Sequence, residues 1–293
     1  MDGNQPIIDE FRANGGRVGG PFEGASLLLL TTRGRNSGWP HTTPAVHLRD
    51  GARYLVFATN AGASHHPDWY HNLLAHPQVT FEIGASGAAE GLRTYAARAV
   101  PLAGEERDHW YGVQERAVPR FRAYREATSR VIPVVALHPI DLAGDPALAR
   151  AGGAHLLAAH AQLRDQLAEV RAVLDGPGPD GVPETRATLG EQLRQHCLAY
   201  CHGLRMHHIS ENGAFTALED AFPHLAQVIG RLREEHRAVE ESLTELAALL
   251  DQGPNAARER LRAQLERTVA GLEEHFAREE AELLPALVMS RPG

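Results

Sequence analysis

Lysine is absent from this chain: all 29 basic residues are arginine, set against 37 acids for a net charge of −8. A chain this acidic is a poor nucleic-acid binder, so that class of partner is excluded. Arginine used throughout a sequence rich in Ala, Gly and Leu reads as GC-rich coding and points to an actinobacterial host. Cysteine is scarce as well. Only Cys197 and Cys201 occur, one helical turn apart with no secretory signal, which rules out a disulfide framework and reads as two small residues buried on a helix. Long apolar runs are also missing. The longest aliphatic stretch, Leu27 to Leu30, is far too short to cross a bilayer. The first residues, MDGNQPIIDEF, offer neither the basic nor the apolar region of a signal peptide, so the expected location is cytoplasmic, with no integral membrane segment.

What is present falls into two textures. A length of 293 residues favours two domains. Strands are expected at Ser26 to Arg33, His41 to Leu48, Tyr54 to Thr59, Val79 to Ile83, Tyr95 to Val100 and Val131 to Leu137. Gly34-Arg35-Asn36-Ser37-Gly38 and Asp50-Gly51 supply turns between the first three. Asp68 to Ala75 and Glu105 to Val118 read as helices. Short strands joined by hairpins predict a small closed β-barrel with flanking helices. Beyond residue 140 the chain is helical, interrupted by Gly and Pro at 176–183 and at Gly253-Pro254. The expected divisions are 1–140, a linker at 141–152, and 153–293. The excess negative charge lies in the second half: residues 1–150 carry 15 Arg and 15 acids, the remainder 14 and 22.

One spacing recurs three times in the helical half: His207 with Glu211, His236 with Glu240, and His275 with Glu279. Residues four apart stack on one helix face, so each pair aims an imidazole and a carboxylate at one point. Upstream, His160 shares a face with Leu156, Leu157, Leu163 and Leu167, whereas His155 points elsewhere. Tyr200 and Leu204 fall on the stripe of His207 and Glu211. Ile229, Leu232, Val239 and Leu243 flank His236, and Leu265, Leu272 and Leu283 bracket His275 and Glu279. Carboxylates on apolar stripes cost several kcal/mol each unless protonated or bound to a cation. Their convergence therefore predicts a metal site. Imidazole and carboxylate without thiolate suit iron or manganese, and at about 100° per residue both cysteines project away from the direction of His207. Seven ligands are too many for one ion and suit two bridged by carboxylates, so a di-iron centre is expected in the core of a bundle. His65, His66, His71 and His76 also cluster, but without carboxylates at ligand spacing no second metal site is expected there.

His160, HHISE at 207–211, EEHRAVE at 234–240 and HFAREEAELLPAL at 275–287 resemble the hemerythrin-like cation-binding domains over about residues 150–288. The resemblance implies an all-α up-down four-helix bundle. It also implies His160, His207, Glu211, His236, His275 and Glu279 as ligands of two iron ions, with Glu211 and Glu279 bridging. Oxygen-carrying members place a second histidine four residues after the first on the third helix, where this chain has Glu240. If Glu240 binds, the site is more anionic and favours ferric iron, and thus sensing, peroxide or oxygen reduction, or iron oxidation over reversible oxygen carriage. The alternative is that Glu240 stays unligated. Between adjacent Glu279 and Glu280, spacing favours Glu279.

In the first half, Arg33, Arg35, Ser37 and the amides of Gly34 to Gly38 cluster on one turn, a composition able to hold an anion such as phosphate; an ordinary polar hairpin is the alternative. TTRGRNSG, DGARYLVFATNAG and HPDWYHNL, in that order within residues 27–84, resemble the deazaflavin-dependent nitroreductase family, from about Phe11 to Pro139. The implied fold is a flavin-reductase-like split β-barrel, which with the bundle makes an α+β two-domain chain. The implied activity is hydride transfer from the reduced 5-deazaflavin coenzyme F-420 to a small-molecule electron acceptor such as a quinone or nitro compound, often in a homodimer. By correspondence Arg33, Arg35, Asn36, Ser37 and Gly38 form the coenzyme-phosphate loop, and Thr43, Pro44, Ala58, Thr59 and Asn60 the deazaflavin wall. His66, Pro67, Trp69 and Asn72 follow in the segment that closes the pocket. Tyr124, in FRAYREA, matches a tyrosine near the acceptor and is a candidate proton or hydrogen-bond donor, or else an aromatic packing residue. Asn36 and His41 stand where many members carry Lys and Arg, so flavin mononucleotide is the alternative cofactor unless Arg33 and Arg35 compensate.

Together the resemblances imply a reductase fused to a di-iron domain that reacts with or senses oxygen, peroxide or nitric oxide. A non-catalytic iron- or oxygen-sensing protein is the alternative.

Overall fold

The computed structural model describes residues 3–84, 91–175, 183–251 and 258–288. Six strands, β1 (Leu27–Arg33), β2 (Pro40–Asp50), β3 (Arg53–Phe57), β4 (Gln78–Gly84), β5 (Leu92–Pro101) and β6 (Val134–Pro139), form a closed barrel in the order β1-β2-β3-β6-β5-β4. Every pairing is antiparallel, and β4 returns to β1 with Leu30 opposite Phe81, so no strand edge stays unpaired. The apolar runs in β1, β3 and β6 are explained by burial on both faces. Leu28, Leu30, Tyr54, Val56, Val135 and Leu137 share the inner cluster with Phe81. Their neighbours in sequence point outward: Leu27 and Leu29 lie against Ile8 and Phe11 of α1 (Gln5–Ala13). Leu55, Phe57, Val134 and Ala136 lie against Tyr111 of α3 (Gly104–Ala117) and Phe121 of α4 (Arg120–Glu126). Each buried leucine contributes about 1.5–3 kcal/mol.

The helix α2 (Asp68–Ala75) has the expected bounds; Asp68 sits in its positive first turn and the chain leaves it at His76. Two expected strands end differently. The closing strand begins at Val134 rather than Val131, because Pro133 has no N–H for the ladder and Val131 is 69% exposed. The third strand stops at Phe57 because the chain turns sharply, with Asn60 and Ala61 both left-handed at φ 47° and 51°.

The remaining helices are α5 (Pro146–Asp175), α6 (Pro183–Ala221), α7 (Ala226–Asp251) and α8 (Arg258–Val288). The end of the expected 141–152 linker is already helix. Asp145 Oδ1 accepts the N–H groups of Ala147 and Leu148 at 3.0 Å, and Pro146 at the first position is preset for a helix. All four helices feed one core: Leu163 and Leu167 from α5, Cys197, Tyr200 and Leu204 from α6, Leu243 from α7, and Leu272 and Phe276 from α8. Leu157, expected on that stripe, is 45% exposed; its neighbour Leu156 turns inward instead. Both cysteines are free and buried, and burial raises the Cys197 thiol to about 12 and Cys201 to about 11. By packing, the chain divides into two compact units, Met1–Ile140 with Ile209–Ala217, and Asp141–His208 with Leu218–Gly293. Among the described residues no helix is long and apolar enough to cross a membrane.

Candidate functional site

The four long helices bring six of the seven expected donors together and add one that spacing did not single out. Two groups form: His160, His207, Glu211 and Glu279, and His208, Glu211, His236 and His275. Within each, the donor atoms lie within 4.8 Å of one another, and Glu211 belongs to both. Glu279 is fully buried, with His160 Nε2 at 3.2 Å and the Nε2 atoms of His236 and His275 at 3.4 Å, so it touches both groups. His236 Nε2 and His275 Nε2 stand 3.0 Å apart. An ion bound at 2.0–2.2 Å by nitrogen and oxygen keeps neighbouring ligand atoms about 3 Å apart, so these spacings fit a coordination shell.

The electrostatics agree with that fit. Burial lowers His207 to about 3 and holds His208 well below its ordinary value, which leaves neutral imidazoles with lone pairs to give. Burial pushes Glu279 up, but His160, His236 and His275 outweigh it and hold the carboxyl down at about 2. His208 is 5% exposed, stacks on His236 at 4.1 Å, and its buried Nε2 has no hydrogen-bond partner among the described residues. A buried imidazole nitrogen without a hydrogen bond beside three other donors fits a cation ligand.

Glu240, a sequence-expected ligand, is not in either group. Its carboxylate is half exposed and receives Arg205 Nε at 2.8 and 3.0 Å. The donor set is therefore five histidines with two glutamates, and no argument against reversible oxygen binding rests on Glu240. The missed signal was the doublet His207-His208: the two donor groups draw on neighbouring positions, which a search for i, i+4 pairs overlooks.

In the barrel, the loop between β1 and β2 exposes Arg33, Arg35, Asn36 and Ser37. It closes through Gly38 N to Gly34 O and Gly34 N to Trp39 O, both 2.8 Å, and turns at Gly38 with φ 72°, which favours glycine. Neither Arg33 nor Arg35 is ion-paired among the described residues, so both guanidiniums are available to an anion. Asn72 of α2, 6% exposed, anchors the loop: its Oδ1 accepts Arg35 N–H at 3.1 Å while its amide donates to Thr32 Oγ1 at 3.1 Å. Ser37 Oγ lies 3.3 Å from His41 Nε2. Thr43 and Pro44 lie half buried on β2 opposite Leu30 and Leu29. Trp69 is a core residue, packed with Leu73 in the barrel cluster.

Ala58, Thr59 and His66 are united by a residue the sequence did not flag, Arg130. Its guanidinium donates to the carbonyls of Ala58 (3.1 Å), Thr59 (2.7 Å) and Ala63 (2.8 Å) and to His66 Nδ1 (2.8 Å). Burial, then Arg130 and His71, lower the His66 pKa, so the imidazole stays neutral and accepts. Asn60 adds a bond to His65 O at 3.2 Å. Gly62, at φ 83°, lets the backbone of Tyr124 approach, since a Cβ there would meet Ala127 at 2.9 Å and Tyr124 O at 3.2 Å. Tyr124 is half buried with its ring edge-on to Phe121 at 5.7 Å, beside this turn. Pro67 leads directly from His66 into α2, so one short segment joins the Arg130 network to Asn72 and the arginine loop.

Known proteins share both halves. The family described as F420H(2)-dependent quinone reductase matches residues 7–139, and the hemerythrin HHE cation binding domain matches residues 152–287. An F420H(2)-dependent quinone reductase of Mycobacterium tuberculosis is 36% identical over 131 residues, spanning 43% of this chain and 83% of that protein. A solved F420-H2 dependent reductase is 31% identical over 39% of this chain and 94% of its own, with a TM-score of 0.34. A second solved chain, described as a domain-swapped dimer, is 29% identical over 46% of this chain and 94% of its own, with a TM-score of 0.35.

Proposed function

Because this chain belongs to the F420H(2)-dependent quinone reductase family and carries a hemerythrin HHE cation binding domain, we propose that it is a cytoplasmic oxidoreductase in two parts. The barrel binds reduced coenzyme F-420 and directs its hydride to a quinone, nitro compound or similar acceptor. The bundle holds two iron ions and reacts with or senses oxygen, peroxide or nitric oxide.

The reductase half is carried by two unpaired arginines on an exposed loop, tied through Asn72 and α2 to a wall that Arg130 fixes. The coenzyme supplies the hydride; the protein's work is to bind and orient. In this reading Arg33 and Arg35 neutralise a phosphate, and the loop N–H groups of Asn36 and Ser37 donate to its oxygens, those of Gly34, Arg35 and Gly38 being engaged within the fold. Thr43, Pro44 and the turn at Ala58 to Asn60 shape the wall, and the Tyr124 phenol stands ready to donate a proton to the acceptor.

The bundle half is carried by the two donor groups sharing Glu211. An iron pair supplies two-electron redox capacity, matched to a hydride donor. The helices contribute neutral imidazoles aimed inward and a dry site. A cavity of about 310 Å³, lined in part by Glu235, Val239, Ser242, Thr268 and His275, brings space for a small molecule to one histidine of the set.

Titration of the full chain with reduced F-420 under nitrogen, with menadione as acceptor, should give binding and turnover. Absence of both defeats the reductase reading. Anaerobic reconstitution should load two irons per chain, and fewer than about one defeats the di-iron reading.

A further inference from the structure

Two carboxylates outside the donor groups hold the outward nitrogens of two histidines inside them. His160 Nδ1 lies 2.8 Å from Glu280 Oε1, while its Nε2 faces Glu279. His275 Nδ1 lies 2.8 Å from Glu235 Oε2, while its Nε2 faces Glu279 and His236. Each carboxylate is itself held by an arginine: Arg164 Nη1 reaches Glu280 at 3.4 Å, and Arg278 pairs with Glu235. The His160 ring is clamped further, stacked on Phe276 at 4.1 Å with the Arg164 guanidinium 5.4 Å from the same phenyl ring. His160 belongs to one donor group and His275 to the other, so each group contains one histidine with a carboxylate and an arginine behind it.

Resting on the two-ion reading above, we propose that Glu280 and Glu235 are positioning residues, one for each ion. Each accepts the Nδ1 proton of its histidine and thereby fixes the tautomer whose Nε2 lone pair faces the ion. A neutral imidazole carries its proton on one nitrogen only, and a carboxylate at 2.8 Å stabilises that proton on Nδ1. The nearby negative charge makes the ring a stronger donor and favours the more highly charged ion. Arg164 and Arg278 keep the two carboxylates in register with the rings. Phe276, stacked on the His160 ring, restrains its rotation.

The test uses the full chain reconstituted with ferrous iron, comparing Glu235→Gln and Glu280→Gln with Glu234→Gln. Gln keeps the size and an acceptor oxygen but removes the charge; Glu234, adjacent to Glu235, pairs only at 3.9 Å with Arg237. Each of the first two substitutions is expected to weaken iron retention against a chelator roughly 10- to 100-fold and to raise the midpoint potential, with Glu234→Gln matching the unaltered chain. A second measurement needs no substitution: nitrogen-15 shifts of the zinc-loaded full chain should show His160 and His275 protonated at Nδ1. If the unaltered chain holds fewer than about one iron, the two-ion reading fails and this inference with it. If it holds two but both Gln variants keep its retention and potential, or the zinc-loaded histidines are protonated at Nε2, the inference alone is overturned.

Discussion

In the barrel the arginines of the loop face outward with no acid paired to them among the described residues, whereas in the bundle the charged groups are buried and crowd one another. Arg33 and Arg35 sit on an exposed loop whose shape comes from backbone bonds and Asn72. His160, His236, His275 and Glu279 are each at most 3% exposed and within 3.4 Å of one another through Glu279. The first is shaped by bonds within the protein, and on the reading proposed above it would take an anion. The second is an assembly of polar groups that an apolar core tolerates only when a cation organises them. Loss of ligand should therefore cost the bundle stability and leave the barrel folded.

The largest effect that separates the two belongs to Glu279, the carboxylate touching both donor groups. Glu279→Ala should lower iron affinity by more than about 100-fold, by removing a ligand from a buried site. Coenzyme affinity in the same protein should not change, as elemental analysis beside a coenzyme titration will show. Next comes Arg130→Ala, which frees three carbonyls and His66. Loss of a charged donor with several partners costs about 1.5–3 kcal/mol, and the coenzyme dissociation constant should rise about tenfold or more while iron content holds.

Acid should divide the halves in the metal-free protein. His207, His208, His236 and His275 have folded-state pKa values below the unfolded value of about 6.5, with His207 at about 3. The unfolded chain then binds more protons as pH falls through 6.5 toward 3, so stability declines across that window. Glu279, held at about 2, adds a second loss below its unfolded value of about 4.3, as pH falls toward 2. In the barrel, burial lowers His47 to about 4 and also lowers His66, two groups against four lowered histidines in the bundle, His207, His208, His236 and His275. Unfolding followed by helix signal and by barrel tryptophan fluorescence should show the bundle melting first as pH falls from 7 to 4. A smaller change is expected from Arg33→Ala with Arg35→Ala: coenzyme binding weakened several-fold at low salt, the difference shrinking as salt screens the loop. Smallest is Glu240→Gln, which loses only an exposed ion pair, about 0–1 kcal/mol, with iron content unaltered.

The same contrast governs how much the sequence could reveal. The bundle's donors repeat at helical spacing on apolar stripes, so His160, His207, Glu211, His236, His275 and Glu279 were legible from position alone. His208 escaped because it joins the second donor group from the position next to His207, off the i, i+4 grid. Glu240 fitted the grid and still stays outside, because Arg205 on the next helix claims its carboxylate. In the barrel, β1, β3 and β6 were recognisable as short apolar runs, but α1 and α4 were not expected; at nine and seven residues they hold few turns for a periodic pattern to show. Arg130 was invisible for a different reason. Three of its four partners are backbone carbonyls or lie on a turn about seventy residues earlier, and backbone acceptors leave no mark in side-chain composition. The loop residues from Arg33 to Gly38 suggested an anion site only weakly by themselves; the family resemblance gave that composition its meaning.

Counting iron in the anaerobically reconstituted full chain, alongside a His208→Ala variant, tests the paired donor groups most directly. The account predicts two ions per chain in the unaltered protein and fewer than two in the variant, whose second donor group loses an imidazole. A chain that holds fewer than about one ion, or a His208→Ala variant that still holds two with unchanged affinity, would contradict it.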